Sequence, residues 1–389
     1  MSVFGNLKMY RFLIALCLIV GPALLSLQAQ ERAIEKLDPA MSVNPTAADG
    51  LLWYDVEDWG LEGRILPQQE RLKYFDRLPA SAEGHVTKNV WNLSRDSSGM
   101  MVRFQTDSPS IHVHYKLTDS NLAMPHMPAT GVSGVDLYAR NDEGVWKWVQ
   151  VTKPATQEVK AQIINGIAPG IREYAAYLPL YNGVESMSIG IEPGSKFAGL
   201  PPRSRPIVFY GTSITHGACA SRPGMVHTAI LGRMFDMPVV NLGFSGNGRM
   251  DKEVGDYLIQ LDASLFVIDC LPNMGPADVE KKCIPLVHQL RKAHPQTPIV
   301  LVEDRRFSND WITPAKHEFH TANHRALDNA FQALKAEGVK QLYYIPGDFL
   351  YGDDSEGSTD ASHANDLGFM RQAKAFEPIL RQALNQAAL

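Results

Sequence analysis

Apolar positions recur at every second residue through the first half of the chain and in short continuous runs through the second. Ile111, Val113, Tyr115 and Leu117 alternate with His112, His114 and Lys116, and Met187, Ile189 and Ile191 alternate with Ser186, Ser188 and Gly190. A period of two puts one side of each strand in a core and the other in water, which describes half-buried antiparallel strands. Turn sequences such as Asp96-Ser97-Ser98-Gly99 and Asn141-Asp142-Glu143-Gly144 punctuate them. Residues 40–198 are therefore expected to form an all-β, jelly-roll-like sandwich.

Proline continues neither regular structure, so Gly199-Leu200-Pro201-Pro202-Arg203-Ser204-Arg205-Pro206 reads as a link between two units. Beyond it the apolar runs Ile207–Tyr210, Val239–Leu242, Leu265–Asp269, Ile299–Val302 and Leu342–Ile345 are each followed by a segment of helical spacing. Helices are expected over 226–236, 251–261, 277–293, 317–337 and 365–385. Strands this apolar cannot face water on either side, so residues 203–389 are expected to form an α/β unit, a parallel sheet between two helix layers.

A chain of 389 residues is long for one domain, which agrees with that division. The net charge of −5 is spread along the sequence without a run of Lys and Arg, which argues against nucleic acid as a partner. Residues 1–29 read as a signal peptide, with Lys8 and Arg11 ahead of an apolar stretch from Phe12 to Leu27 and a cleavage region at Ala29. That stretch is interrupted by Gly21-Pro22 and is shorter than the roughly 20 residues needed to span a bilayer. Export to the periplasm or medium is expected, with no stable membrane insertion after cleavage. Leu16, before Cys17, is too large for the usual lipid-attachment site, so lipid anchoring is not expected. Cys219, Cys270 and Cys283 remain in the mature chain, an odd number that does not make a disulfide scaffold. They read as buried thiols, although Cys219 and Cys270 lie near the residues considered next.

Ligands of an open parallel sheet bind beyond the carboxyl ends of its strands. Ser213, in Gly211-Thr212-Ser213-Ile214-Thr215, follows the first strand, Gly246 follows the second, and Asn273 follows the third. Asp360-Ala361-Ser362-His363 lies beyond the fifth, before the last helix. A Ser in a tight Gly-flanked turn offers a nucleophile, and an Asp-x-x-His pair offers a general base with the carboxylate that orients it. Singly, Ser213 would read as a helix cap and Gly246 as a turn residue. In order along one sheet edge, they read as the site of a serine hydrolase.

These blocks resemble the SGNH (GDSL-type) hydrolase family over about residues 203–389. Asp360-x-x-His363 matches the last block in full, and Asn241-x-Gly243-x-Ser245-Gly246 matches the second. Gly-Thr-Ser-Ile-Thr departs from the usual Gly-Asp-Ser-Leu but keeps the Ser, while the Asn273 segment lacks the usual Gly-x-Asn-Asp form. The resemblance implies a three-layer α/β/α, flavodoxin-like hydrolase domain without metal or organic cofactor. In it Ser213 attacks an ester carbonyl, His363 takes the proton and Asp360 orients the imidazole. The N–H groups of Ser213 and Gly246 and the side-chain amide of Asn273 would hold the oxyanion. Gly134-Val135-Asp136-Leu137-Tyr138 looks like the Gly-x-Asp-Leu-Tyr signature of a β-rich domain that precedes a subset of these hydrolases in bacteria; alternation alone would make it an ordinary strand. The resemblance implies that this accessory domain packs on the hydrolase and can wall its cleft.

Other polar residues share the active edge. His216 is a rival base or a pocket wall, and Arg222, Glu303 and Arg305 are candidate substrate contacts or equally a local ion-pair cluster. His317, His320 and His324 have the spacing of a metal face, but His320 and His324 continue the stripe Leu327, Phe331, Leu334. Packing toward the sheet is the preferred reading, with a substrate contact kept open for His320. His112 and His114 read as an exposed sheet surface, and Trp146 and Trp148 as core in preference to a sugar platform. The expected activity is an exported esterase removing acetyl or another short acyl group from an oligosaccharide, a polysaccharide or a small-molecule ester, the carbohydrate resting on analogy. A lipid or thioester hydrolase and a non-catalytic glycan-binding protein on a hydrolase fold are the alternatives.

Overall fold

A computed structural model describes residues 44–387. The expected signal segment, residues 1–29, lies outside the described residues. The period-two region forms ten strands: β1 (Thr46–Ala48), β2 (Leu51–Asp55), β3 (Met101–Thr106), β4 (Ser110–Leu117), β5 (Asp136–Arg140), β6 (Trp146–Val151), β7 (Glu158–Asn165), β8 (Arg172–Tyr177), β9 (Val184–Ile191) and β10 (Phe197–Leu200). They pair antiparallel in two five-stranded sheets, ordered β1-β2-β9-β4-β7 and β10-β3-β8-β5-β6. Ile111, Val113, Tyr115, Leu117, Met187, Ile189 and Ile191 are buried together in the core they share, as alternation requires. Gly199 and Leu200, expected in the link, instead pair with β3, so the link begins at Pro201.

The second half supplies β11 (Ile207–Gly211), β12 (Val239–Gly243), β13 (Leu265–Asp269), β14 (Ile299–Val302) and β15 (Leu342–Ile345). All pair parallel in the order β12-β11-β13-β14-β15. This is the flavodoxin-like order, in which the chain reverses direction across the sheet at β11 and opens a crevice there. The helices are α1 (Lys88–Leu93), α2 (Ala129–Val132), α3 (Ser213–His216), α4 (His227–Phe235), α5 (Lys252–Leu258), α6 (Pro276–Ala293), α7 (Pro314–Ala336) and α8 (Asp366–Ala387). Val208 and Tyr210 of β11 pack with α5, α6 and α7, whereas Ile207 and Phe209 pack with α4 and α8. Helix α7 starts three residues earlier than expected because Pro314 occupies its first turn, where a missing N–H costs nothing. None of the described helices is long and apolar enough to cross a membrane.

The two halves share their cores. Ile65, Leu66, Leu78, Val86, Val90 and Trp91, from the connection between β2 and β3, are buried against one face of the parallel sheet. Met127, Val132 and Leu180 are buried on the other side, with Ile214 and Val226. Each such side chain contributes about 1.5–3 kcal/mol by leaving water, so the parallel sheet is completed by residues that precede the link. Polar contacts do the same. The fully buried Arg77 donates to the carbonyls of Asn241 (2.9 Å) and Gly243 (3.0 Å) at the end of β12. The buried Asp136 carboxylate accepts from Arg222 Nη1 (2.9 Å), the Gly224 N–H (2.8 Å) and the Trp148 indole (2.8 Å). Tyr138 also meets Arg222, at 2.6 Å. The Asp and Tyr of the Gly-Val-Asp-Leu-Tyr strand thus hold the segment that follows α3.

Candidate active site

Strand β11 ends at Gly211, and the Thr212 hydroxyl accepts the Ile214 N–H (3.3 Å) to start the single turn of α3. Ser213 is the first residue of that turn, so its own N–H has no intrahelical partner. Gly217, at φ 113°, closes the turn in a conformation that a side chain would strain. The sequence therefore places the Ser213 hydroxyl and its amide together at the sheet edge.

The Ser213 Oγ lies 2.8 Å from His363 Nε2, and His363 Nδ1 lies 2.8 Å from Asp360 Oδ2. The second carboxylate oxygen of Asp360 accepts the N–H groups of Ser362 (3.0 Å) and His363 (2.7 Å). Partial burial raises the Asp360 pKa, but these two N–H groups and the His363 ring outweigh it and hold the carboxyl down at about 2. An ionised carboxylate can only accept, so Nδ1 carries the proton and Nε2 of the neutral ring accepts from the Ser213 hydroxyl. Ala361 stands in the left-handed region at φ 71°, which lets the loop fold back so tightly. Arg305 holds the loop from behind: its Nε donates to the Ser362 carbonyl (2.8 Å) and its Nη2 to the Ser362 hydroxyl. The Ser308 N–H donates to Ala361 O (3.0 Å).

After β12 the chain turns at Phe244–Gly248, with the N–H groups of Asn247 (2.8 Å) and Gly248 (2.9 Å) both donating to Phe244 O. Gly246 is exposed at φ 70°, and the built Cβ of a residue at Gly248 would lie 1.9 Å from Gly211 O. That contact explains why Gly248 must lack a side chain, since its backbone lies directly on that of β11. Asn273, in the turn Leu271–Asn273, accepts the Gly248 N–H on Oδ1 at 3.3 Å. This orientation leaves its Nδ2 donors available. Ser213, Gly246, Asn273, Asp360 and His363 thus all belong to the loops at one edge of the sheet.

Two residues of the β-rich half reach this edge, and neither carries a sequence signal beyond lying in a proline-containing loop, Leu178-Pro179-Leu180-Tyr181 and Met124-Pro125-His126-Met127-Pro128. Tyr181 donates its hydroxyl within reach of Ser213 O (3.3 Å) and Ser245 Oγ (3.4 Å). The ring of His126 lies 6.3 Å from that of His363, on a loop anchored by the buried Met127.

The five candidate substrate contacts are turned inward. His216 stacks on Tyr181 (4.1 Å between centroids), and its Nε2 donates to Leu180 O at 2.7 Å. Burial, with Arg77 nearby, pushes its pKa well below the ordinary value and makes it a poor base, and its wholly buried ring is bonded to Leu180 O while the Ser213 hydroxyl meets His363 instead. Arg222 is committed to Asp136 and Tyr138. Glu303 accepts from Tyr344 (2.5 Å) and the Gly347 N–H (2.6 Å). Arg305 binds Asp304 and Ser362, and the buried His320 faces Asp304 at 3.0 Å. Burial raises the Asp304 pKa, but Arg305 and His320 overcome it and keep the carboxyl below its usual range. The sequence shows where these groups sit along the chain; it does not show that buried partners already occupy them.

His317 is exposed and pairs with Asp310, apart from His320 and His324. His112 and His114 lie on the outer sheet face as expected, whereas Trp148 is 47% exposed instead of core, with Arg222 over its ring. Cys219, Cys270 and Cys283 are free and buried. Among the described residues one group, Cys219 with Asp360 and His363, has metal-ligating atoms within 4.8 Å of one another. Asp360 and His363 are already bonded to each other there, and burial, with Asp360 nearby, pushes the Cys219 thiol up to about 11.

A serine-bearing turn at the reversal point of a flavodoxin-like sheet, facing a His bonded to an Asp, has the arrangement of the SGNH architecture. The GDSL-like lipase/acylhydrolase family model matches residues 204–381, and the model for the N-terminus of SGNH-hydrolase-type esterases matches residues 51–197. A structure described as a GDSL-like lipase from Bacteroides ovatus ATCC 8483 is 31% identical, with a TM-score of 0.81 over 86% of this chain and 98% of its own. The chain belongs to the GDSL-like lipase/acylhydrolase family. A family two carbohydrate esterase from Cellvibrio japonicus shares the fold at 15% identity and a TM-score of 0.51, covering 74% of this chain and 90% of its own. So does an acetyl xylan esterase from the rumen bacterium Butyrivibrio proteoclasticus, at 10% identity and a TM-score of 0.52, over 87% and 99%. No curated protein matches the chain.

Proposed function

We propose that this family member is an exported serine esterase of two domains, a β-sandwich over residues 40–198 and a hydrolase over 203–389, that removes acetyl or another short acyl group from a carbohydrate. The observation that carries the reading is the unbroken chain of hydrogen bonds from Ser213 Oγ through His363 to Asp360. In it Ser213 Oγ attacks the ester carbonyl as its proton passes to His363 Nε2, and Asp360 stabilises the imidazolium. Charge gathers on the carbonyl oxygen, where the N–H groups of Ser213 and Gly246 and the Asn273 amide donate to it. Collapse expels the sugar alkoxide, which takes the proton back from His363. Water, deprotonated by the same His363, then attacks the acyl-serine and releases the carboxylic acid and free Ser213.

The carbohydrate part is supported by the shared architecture of the Cellvibrio japonicus carbohydrate esterase and the Butyrivibrio proteoclasticus acetyl xylan esterase. Export is supported by the basic and apolar pattern of residues 1–29. Incubation with acetylated xylan and acetylated cello-oligosaccharides, followed by acetate assay, tests the substrate. Labelling of Ser213 by a fluorophosphonate tests the nucleophile. Folded protein that neither releases acetate nor takes the label would sink the reading.

A further inference from the structure

The loops that back the Asp360–His363 loop also enclose a second cleft, of about 640 Å3. Its wall is shared with the proposed triad, because Ser308, which lines it, bonds the Ala361 carbonyl and, through its hydroxyl, Ser358 Oγ at 2.7 Å. Of the aromatic side chains that line this cleft, Phe307, Trp311, Phe349 and Tyr351, two are exposed and come from opposite connections, Trp311 after β14 and Phe349 after β15. They are 75% and 73% exposed, although they are among the largest apolar groups in the chain. Large rings held in water inside a concave site mark a surface built to be covered.

Around them the lining is charged and planar. Arg306 Nε meets Asp348 at 2.6 Å, and His317 Nδ1 meets Asp310 at 3.0 Å. These groups hold one another in fixed geometry while keeping further acceptor and donor positions free. A sugar ring matches this alternation, since its C–H face covers an aromatic ring and its equatorial hydroxyls need donors and acceptors in the plane. An acyl chain does not match it. Four lining carboxylates, Asp310, Asp348, Asp353 and Asp354, outnumber the guanidinium groups of Arg306 in the lining and of Arg371, which binds Asp354 from just outside it. Burying them under hydrocarbon is costly, and their charge repels an anionic membrane surface.

We infer that this cleft is a subsite for neutral sugar rings of a glycan, beyond the ring that carries the ester, with Trp311 and Phe349 as its stacking faces. The inference rests on the carbohydrate-ester reading for its link to catalysis, but binding tests it separately. Trp311→Ala and Phe349→Ala in the full chain remove exposed rings and leave the core intact. The ratio of kcat/KM on acetylated xylo-oligosaccharides to that on 4-nitrophenyl acetate is expected to fall about tenfold in Trp311→Ala, mainly through KM. In Ser213→Ala protein, binding of unacetylated xylohexaose or cellohexaose, followed by calorimetry, is expected to weaken by about the same factor when Trp311→Ala is added. Unchanged binding of both hexaoses in the double variant, or no binding of either to Ser213→Ala protein, overturns the inference. So does a loss of binding to phosphatidylglycerol vesicles with glycan binding intact, which would mark a lipid surface. If the wild type releases no acetate from any glycan yet binds a hexaose through Trp311, the esterase reading fails and the subsite stands.

Discussion

Asp136 Oδ2 and Arg222 Nη1 meet at 2.9 Å and join the β-rich half of the chain to the segment that leaves α3. The carboxylate is wholly buried, and burial pushes its pKa up against the pull of Arg222, the Gly224 N–H and the Trp148 indole. Removing the charge leaves Arg222 facing a neutral group in a mostly dry site. Asp136→Asn is expected to lower stability by about 3 kcal/mol. Urea denaturation checks this, and a loss well under 1 kcal/mol would mean that the pair is not what holds the two halves together.

Ser213→Ala and His363→Ala each remove a member of the proposed triad, whose members would act as a unit. Turnover of 4-nitrophenyl acetate is expected to fall by about 10^4 to 10^6 in either variant, with the double variant little worse than the singles. Thermal denaturation should show both variants folded. Multiplicative losses in the double variant would show that the two groups act independently.

Asn273→Ala takes away a side-chain donor without touching the nucleophile. Because its Oδ1 is occupied by Gly248, the expected loss is that of an oxyanion contact, about 3 kcal/mol in kcat with KM little altered. A change confined to KM would place Asn273 in ground-state binding.

The buried Asp269, which accepts from the Thr215 hydroxyl at 3.2 Å, sets a pH dependence of stability. Burial, assisted by the Asp304 charge, pushes its pKa up to about 8. The folded protein then keeps a proton that the unfolded chain releases near pH 4. Stability should therefore fall as pH rises between about 4 and 8, by up to about 1.4 kcal/mol per pH unit for this group, and level off above. Asp269→Asn should flatten the decline in urea midpoints between pH 5 and 8. A variant curve parallel to the wild type would show that the carboxyl is ionised in the folded state.

Much of this was legible in local pattern. Strand β13 was readable at Leu265–Asp269 and β14 at Ile299–Val302 because a fully buried strand is apolar on both faces. Ser213, Asp360 and His363 were readable because each stands in a short turn whose spacing carries its chemistry. Tyr181, His126 and Arg77 were not, since their partners lie far away in sequence and no periodicity reports a contact made by a loop. For Arg222 the sequence leaves a substrate contact and a local ion pair equal, and for His320 it favours packing toward the sheet with a substrate contact kept open; no local pattern names the partner of either. A charged residue near a strand end looks the same in sequence whether it awaits a ligand or already has Asp136 or Asp304 beside it.

The Arg77 contact also bears on how the chain is made. Its guanidinium is wholly buried, and its acceptors at the end of β12 come 164 and 166 residues later. A ribosome therefore delivers the first half with a cation whose acceptor at that stage is the Leu93 carbonyl, its β12 partners still missing, and with the apolar stretch around Ile65 to Trp91 still uncovered. The early half is expected to stay loosely collapsed until Gly243 has emerged, so the sandwich and the hydrolase sheet should close together late in synthesis.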